Sequence, residues 1–308
     1  MGGGGGEARR SSNLQGALWM LASAVTFSVM TTLVKFLGDD YSAPLQTFYR
    51  QAAGLVILLP FILRHRGAAF ATRRPGIMIF RSLAGTVGLI LSFYAFQSMP
   101  LADANALSFT RTLWLVPLAA FVVKEEVGPL RIAAALVGFA GVLIMVRPGA
   151  GGQFAVGLPA LAMLASSFLF AFTVTGMKVL TRDHTPTVIL CWSAALGFLL
   201  SIPGGIIAWK WPAPPDLALL CAMGVIATVN QACYIKGMQL GEAAAMAPID
   251  YTRLVFTASI GFFIFHEVPG AWTIAGAAIV VAATLFITLR EQQLARSAKL
   301  SAEPEGER

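Results

Sequence analysis

The sequence predicts an all-α membrane protein of about ten transmembrane helices, arranged as a 5+5 inverted repeat. Three observations lead there. The 308 residues are 57% hydrophobic and only 12% charged, with a mean hydropathy of +0.74. A soluble domain is about a quarter charged, so too few ionic groups remain here to coat a globule in water. Apolar runs near 20 residues, the length that crosses the hydrocarbon of a bilayer, recur along the whole chain. The first half of the chain also reappears in the second.

Taken in order, the apolar runs fall at 14–37, 44–63, 77–97, 101–122 and 129–146, then at 155–180, 186–209, 216–239, 243–265 and 270–289. Their connections carry turn signals: Gly38-Asp39-Asp40, the stretch from Gly149 to Gly152, and Trp211 to Pro215 with three prolines. Residues 1–13 form a short cytoplasmic lead. Within it Gly6 stands where a myristoylation pattern needs Ser or Thr. Arg9, Arg10 and Ala22-Ser23-Ala24 imitate a signal peptide and its cleavage site, but the apolar run continues to Leu37 and so stays as a span. Residues 14–148 make the first five-helix repeat and 155–289 the second. The polar tail, 290–308, is expected to fray from Glu291 onward.

Lys and Arg placement sets the orientation, because cytoplasmic loops carry the excess. With both termini in the cytoplasm, fifteen Lys and Arg lie inside and only Lys35, Arg147 and Lys210 outside. The same spread excludes nucleic acid, whose binding footprint clusters on one surface. The chain is thus expected in a cell membrane, the bacterial inner membrane, as a multi-pass protein.

The internal repeat runs at an offset of about 143 residues. Met20-Leu21-Ala22-Ser23 recurs as Met163-Leu164-Ala165-Ser166. Phe27 matches Phe170, Thr32 Thr175, Lys35 Lys178, Asp40 Asp183, Gly54 Gly197 and Pro60 Pro203. Tyr94 aligns with Tyr234, and Glu126-Val127 with Glu267-Val268. Five helices per half make the second half enter from the opposite face, an architecture that transporters use repeatedly.

These residues carry a resemblance. The chain resembles the EamA type of the drug/metabolite transporter superfamily in both halves. Besides the repeated first-helix quartet, the marks are Phe48-Tyr49-Arg50, Phe80-Arg81-Ser82, Lys124-Glu125-Glu126-Val127 and Phe265-His266-Glu267-Val268-Pro269. The resemblance implies ten helices, alternating access, and metabolites such as amino acids, nucleotide-like compounds or vitamins as cargo.

Ionisable groups inside a bilayer are costly and point to function or to a buried partner. Arg50 and Arg81 lie near their helix starts, where long side chains reach the interface, and Lys35 and Lys178 close their helices in the same way. Arg111 and Arg253 lie deeper, about ten residues or 15 Å into corresponding spans. A guanidinium pair near the midplane suits a carboxylate or phosphate. Asp250, three residues before Arg253, is placed to neutralise it or to carry a coupling proton. Pro248, beside Asp250 and Tyr251, frees a backbone carbonyl one turn earlier. Asn230 and Tyr234 share a helix face, where polar groups either tie helices together or orient a ligand. Tyr94 and Trp114 offer rings to a planar substrate. The expected substrate site is therefore Arg111, Arg253, Asp250, Tyr251, Asn230, Tyr234, Tyr94 and Trp114.

The expected partners are a small-molecule substrate, anionic or zwitterionic and amino-acid-like, the lipid bilayer, and a coupling proton or exchanged solute. No sequence feature assigns an oligomeric state. Cys191, Cys221 and Cys233 show no metal or disulfide spacing and are expected as small buried residues. No cofactor or enzyme motif occurs in a fitting context. A membrane-embedded enzyme on lipid-linked substrate is the competing class, followed by a channel or scaffold.

Overall fold

The computed structural model describes residues 4–65, 70–123, 128–146, 157–180, 183–240 and 243–302. Among the described residues the chain is helical throughout and has no strand. In order the helices are α1 (Gly4–Phe36), α2 (Ala43–His65), α3 (Pro75–Ser98), α4 (Leu101–Ser108), α5 (Thr110–Leu118), α6 (Pro129–Val146), α7 (Leu158–Leu180), α8 (Pro186–Ile207), α9 (Pro214–Leu240), α10 (Ala243–Asp250), α11 (Thr252–Phe265) and α12 (Ala271–Ala302). Eight of them, α1 to α3, α6 to α9 and α12, are long and apolar enough to cross a bilayer.

The two remaining runs, 101–122 and 243–265, are each divided, which accounts for eight long helices where ten were expected. At Phe109 the backbone tightens: its amide bonds to the carbonyl of Ala106, and the Thr112 amide bonds back to Phe109, the three-residue spacing of a 3₁₀ turn. Pro117 then removes an amide donor inside α5, and a π-turn follows at Ala119–Val123. The second interruption, at Tyr251, repeats the device, with the Leu254 amide bonded back to Tyr251 and Pro248 just upstream in α10.

Two ends differ from expectation. α1 already begins at Gly4, and α12 continues to Ala302, so the tail from Glu291 is helical over most of its length. Its Glu, Gln, Leu, Ala, Arg and Lys residues are good helix formers. The turns at Lys124–Val127 and Gly149–Gly152 lie outside the described residues.

Helix pairing follows a rule of exchange. α1 packs on α9 and α3 on α7, while α2 packs on α8 and α6 on α12. Swapping the first five runs with the second five turns each of the first two pairs into the other and leaves the last two unchanged. Polar ties follow the same rule. Asn230 on α9 donates to the carbonyl of Ser23 on α1 at 2.7 Å, and Ser166 on α7 donates to the carbonyl of Gly88 on α3 at 2.6 Å. Asp40 holds Lys210 at 2.8 Å at one end of the bundle. Asp183, its repeat counterpart, holds Arg74 at 2.7 Å at the other. The hydrogen bond to Asp40 pushes the Lys210 ammonium pKa up.

Lipid gives no hydrophobic drive between helices, so close packing and internal hydrogen bonds must hold the bundle. The closest approach to another helix's backbone is α6 against α12, where a side chain on Gly276 would stand 2.5 Å from the backbone oxygen of Gly141. Arg81, expected to reach the interface, is buried and donates to Ser193 on α8 instead. Cys191 and Cys233 are buried as expected, but Cys221 is exposed on α9.

Backbone cannot yield to a methyl group as a flexible side chain can. Gly276→Ala is expected to lose about 1–3 kcal/mol of stability, read as a lower melting temperature in detergent. Gly54→Ala, with no atom within 4 Å of the added carbon, is the silent control.

Candidate functional site

Both interruptions carry the same three-residue pattern, an aromatic ring followed by Thr and Arg: Phe109-Thr110-Arg111 and Tyr251-Thr252-Arg253. Each arginine therefore sits in the first turn of the second segment, α5 or α11. The two hinge rings meet, with Phe109 and Tyr251 centroids 4.6 Å apart. Tyr251 is fixed from its other side by a 2.5 Å hydrogen bond between its hydroxyl and Thr284 on α12.

Arg253 is nine-tenths buried, at 9% exposure. Its guanidinium lies over the Phe109 ring at 4.1 Å and over the Phe27 ring of α1 at 4.9 Å. These faces hold the cation, but its hydrogen-bonding edge is poorly served. One terminal nitrogen donates to Ser108 Oγ at 3.3 Å, another stands 3.9 Å from Asp250, and Nε is buried with no hydrogen-bond partner. A guanidinium has five donors in a fixed fork, and a buried donor left open costs about 1–3 kcal/mol. This arginine is short of acceptors.

Arg111 is half-buried, and no hydrogen bond, ion pair or ring contact serves it among the described residues. It stands close enough for its charge to be felt at Tyr251 and Arg253. Among the described residues, Asp250 is the one carboxylate set against these two guanidinium groups, a balance of one surplus positive charge. An anion placed between the arginines relieves their repulsion and fills the open donors. Acceptors for a cationic group are present too. Asn105 donates to Thr257 at 2.9 Å, and its own Oδ1 is buried without a partner.

Of the eight residues expected from sequence, the structure gathers Arg111, Arg253, Asp250 and Tyr251, with Tyr234 within electrostatic reach of Arg253. Asn230 is engaged in the α1–α9 tie through Ser23 and Thr26. Trp114 packs between Phe139 and Phe168, at 4.7 and 5.0 Å between ring centres. Tyr94 lines a separate groove of about 550 Å³ with Gly38, Asp39 and Gln97. Sequence reasoning missed Phe27, Asn105, Ser108 and Phe109. The repeated aromatic-Thr-Arg pattern is the signal that points to Phe109, and the Phe27–Phe170 match points to Phe27.

A second polar assembly closes the end of the bundle where α1 stops. Lys35, expected to reach the headgroups, turns inward instead: its amine pairs with Glu267 and donates to the Met99 carbonyl at 2.8 Å. The other Glu267 oxygen accepts the Leu101 amide at 2.9 Å, capping the first turn of α4, where unpaired amides and the helix dipole favour a carboxylate. His266 makes this possible. Its left-handed backbone, φ 54°, ends α11 and turns Glu267 back so that its amide reaches Gly261. Asp103, within electrostatic range of both charges, lines a neighbouring cavity of about 270 Å³.

Both side chains of that pair are about 15% exposed, so removing one partner strands a charge. Lys35→Met or Glu267→Leu alone is expected to cost about 3–5 kcal/mol, and the double variant less than either. Denaturation midpoints of the three variants check this. Additive losses would count against a coupled pair.

Comparison with known proteins places these features in a setting. The EamA-like transporter family matches residues 14–147 and 157–289. An S-adenosylmethionine uptake transporter of Rickettsia prowazekii is 30% identical over 280 residues, 91% of this chain and 94% of that protein. A riboflavin transporter of Rhizobium johnstonii is 28% identical over 286 residues, 91% and 93% of the two chains. A pseudopaline exporter of Pseudomonas aeruginosa is 27% identical over 277 residues, 89% and 95%. A solved crystal structure shares the fold with a TM-score of 0.59 at 18% identity, covering 93% of this chain and 99% of that one.

Proposed function

This chain belongs to the EamA-like transporter family, and we propose that it carries a zwitterionic, amino-acid-like metabolite by alternating access at the paired arginines. It is a multi-pass membrane protein that transports a small metabolite. The observation that carries the substrate reading is Arg253, buried with its fork under-satisfied, beside an Arg111 that has no pairing partner among the described residues. A substrate carboxylate takes the two guanidinium groups. Its ammonium faces Asp250 and the open Asn105 oxygen. Asp250 is the carboxyl placed to bind a coupling proton, with an exchanged solute as the other driving partner.

The relatives named for S-adenosylmethionine support cargo with an amino-acid part. The second reading, a flat vitamin-type compound, is favoured by the Phe109–Tyr251 ring pair and by the riboflavin relatives.

For the architecture, α4–α5 and α10–α11 each make one crossing, giving ten in two inverted sets, 14–148 and 155–289. The exchange rule in helix pairing and the two Asp-centred ties at opposite ends support it. Both termini are cytoplasmic on the balance of Lys and Arg, in a bacterial inner membrane.

Two measurements test this. In proteoliposomes offered radiolabelled S-adenosylmethionine, riboflavin or amino acids, Arg111→Gln and Arg253→Gln are each expected to lower uptake of the transported compound at least about tenfold, the value of one charge-assisted bond. Melting temperatures stay near wild type. Undiminished uptake in both variants would remove the arginines from the site. In a cysteine-free background, thiols at Ser42 and Trp211 are expected to react from one face of the membrane, and thiols at Thr72 and Thr185 from the other. Any other division overturns the ten-crossing topology.

A further inference from the structure

The two arginines occupy matching places in the two halves, yet their surroundings differ. Arg253 is clasped between the rings of Phe27 and Phe109. Arg111 has no ring over it among the described residues. The second half nevertheless supplies the parts of a matching clasp. Phe170 is the repeat counterpart of Phe27, and Tyr251 holds the place that Phe109 holds in the other triplet. The helices bring them to the right neighbours as well. α1, carrying Phe27, packs on α11, which carries Arg253, and α7, carrying Phe170, packs on α5, which carries Arg111.

Tyr251 is occupied elsewhere in this state, pressed on Phe109 and tied to Thr284. One clasp is closed and the other is open.

We propose that Phe27 and Phe109 position Arg253 in the state seen here, and that Phe170 and Tyr251 position Arg111 in the opposite state, so that the arginines exchange the clasp during transport. This rests on the inverted-repeat reading given above. The physical basis is that a ring face binds the flat side of a guanidinium and leaves its N–H edge free. A clasped arginine thus presents a fixed fork to an anion, while its partner moves to meet it. Inverted halves make the two clasps equivalent but not simultaneous. A clasp broken on one side therefore shifts the balance of states, and the matching break on the other side shifts it back.

The test reads conformational balance without a substrate. In a background with Cys191, Cys221 and Cys233 replaced by Ser, Ala160→Cys lines the cavity near Asp103. Its rate of reaction with an impermeant maleimide, added to each face of sealed vesicles, reports how open that end is. Phe27→Leu and Phe170→Leu are expected to change this rate in opposite directions, roughly tenfold each, the size of a buried cation–ring contact. Phe27→Tyr and Phe170→Tyr, which keep the ring, are expected to stay within about twofold of the parent. Where a Leu variant does not fold, Met at the same position keeps the volume and takes its place.

Shifts in the same direction, or no shift in either Leu variant, overturn the exchange, as does an equal effect of Tyr and Leu. The uptake assay separates this from the functional reading. Opposite shifts with no wild-type uptake of any compound overturn transport alone. Uptake with parallel or absent shifts overturns the exchange alone.

Discussion

A positive charge held away from water is the constraint around which this bundle is arranged. In lipid, a buried guanidinium has no solvent to fall back on, so Arg253 takes what the protein offers: two ring faces, a distant carboxylate and a long bond to Ser108. That partial settlement dictates the local backbone. Rings and arginine reach one another because α4–α5 and α10–α11 are interrupted where they cross, and each interruption is a single tightened residue followed or preceded by a proline. The same constraint acts at the bundle end, where Lys35, Glu267, Met99 and the start of α4 satisfy one another.

The helical membrane class was legible because lipid writes a coarse code: length and apolarity alone mark the long helices. The divided runs were less legible, since one residue in 3₁₀ geometry leaves no compositional trace. Pro248 marked the neighbourhood of the second hinge but not the hinge itself, and Pro117, a full two turns past Phe109, points no more closely to the first. Of the proposed site, Arg111, Arg253 and Asp250 stood out because charge in an apolar run is conspicuous, and Tyr251 because it lies beside Pro248 and Asp250. Phe27 and Phe109 could not be told from packing residues by type, because what distinguishes them is which cation they cover.

Lys35 shows the converse limit. A lysine at the end of an apolar run is ordinarily an anchor at the interface. Its inward turn depends on Glu267, more than two hundred residues away in sequence, and on a left-handed His266 that no local pattern announces. Asn230 is a related case: the same amide serves a ligand or a neighbouring helix equally well, and only the position of Ser23 decides.

The exchange of partners between halves has a consequence for how the chain is made. α1 finds its main neighbour in α9 and α3 in α7, and α4 receives its cap from Glu267. As the ribosome delivers the first five segments, Ser23 and the amides of α4 enter the bilayer with their permanent partners still unsynthesised. The early segments must be sheltered by water, by the insertion machinery or by provisional contacts until the last ones arrive. Assembly is thus deferred to the end of translation, and neither half is a finished unit without the other.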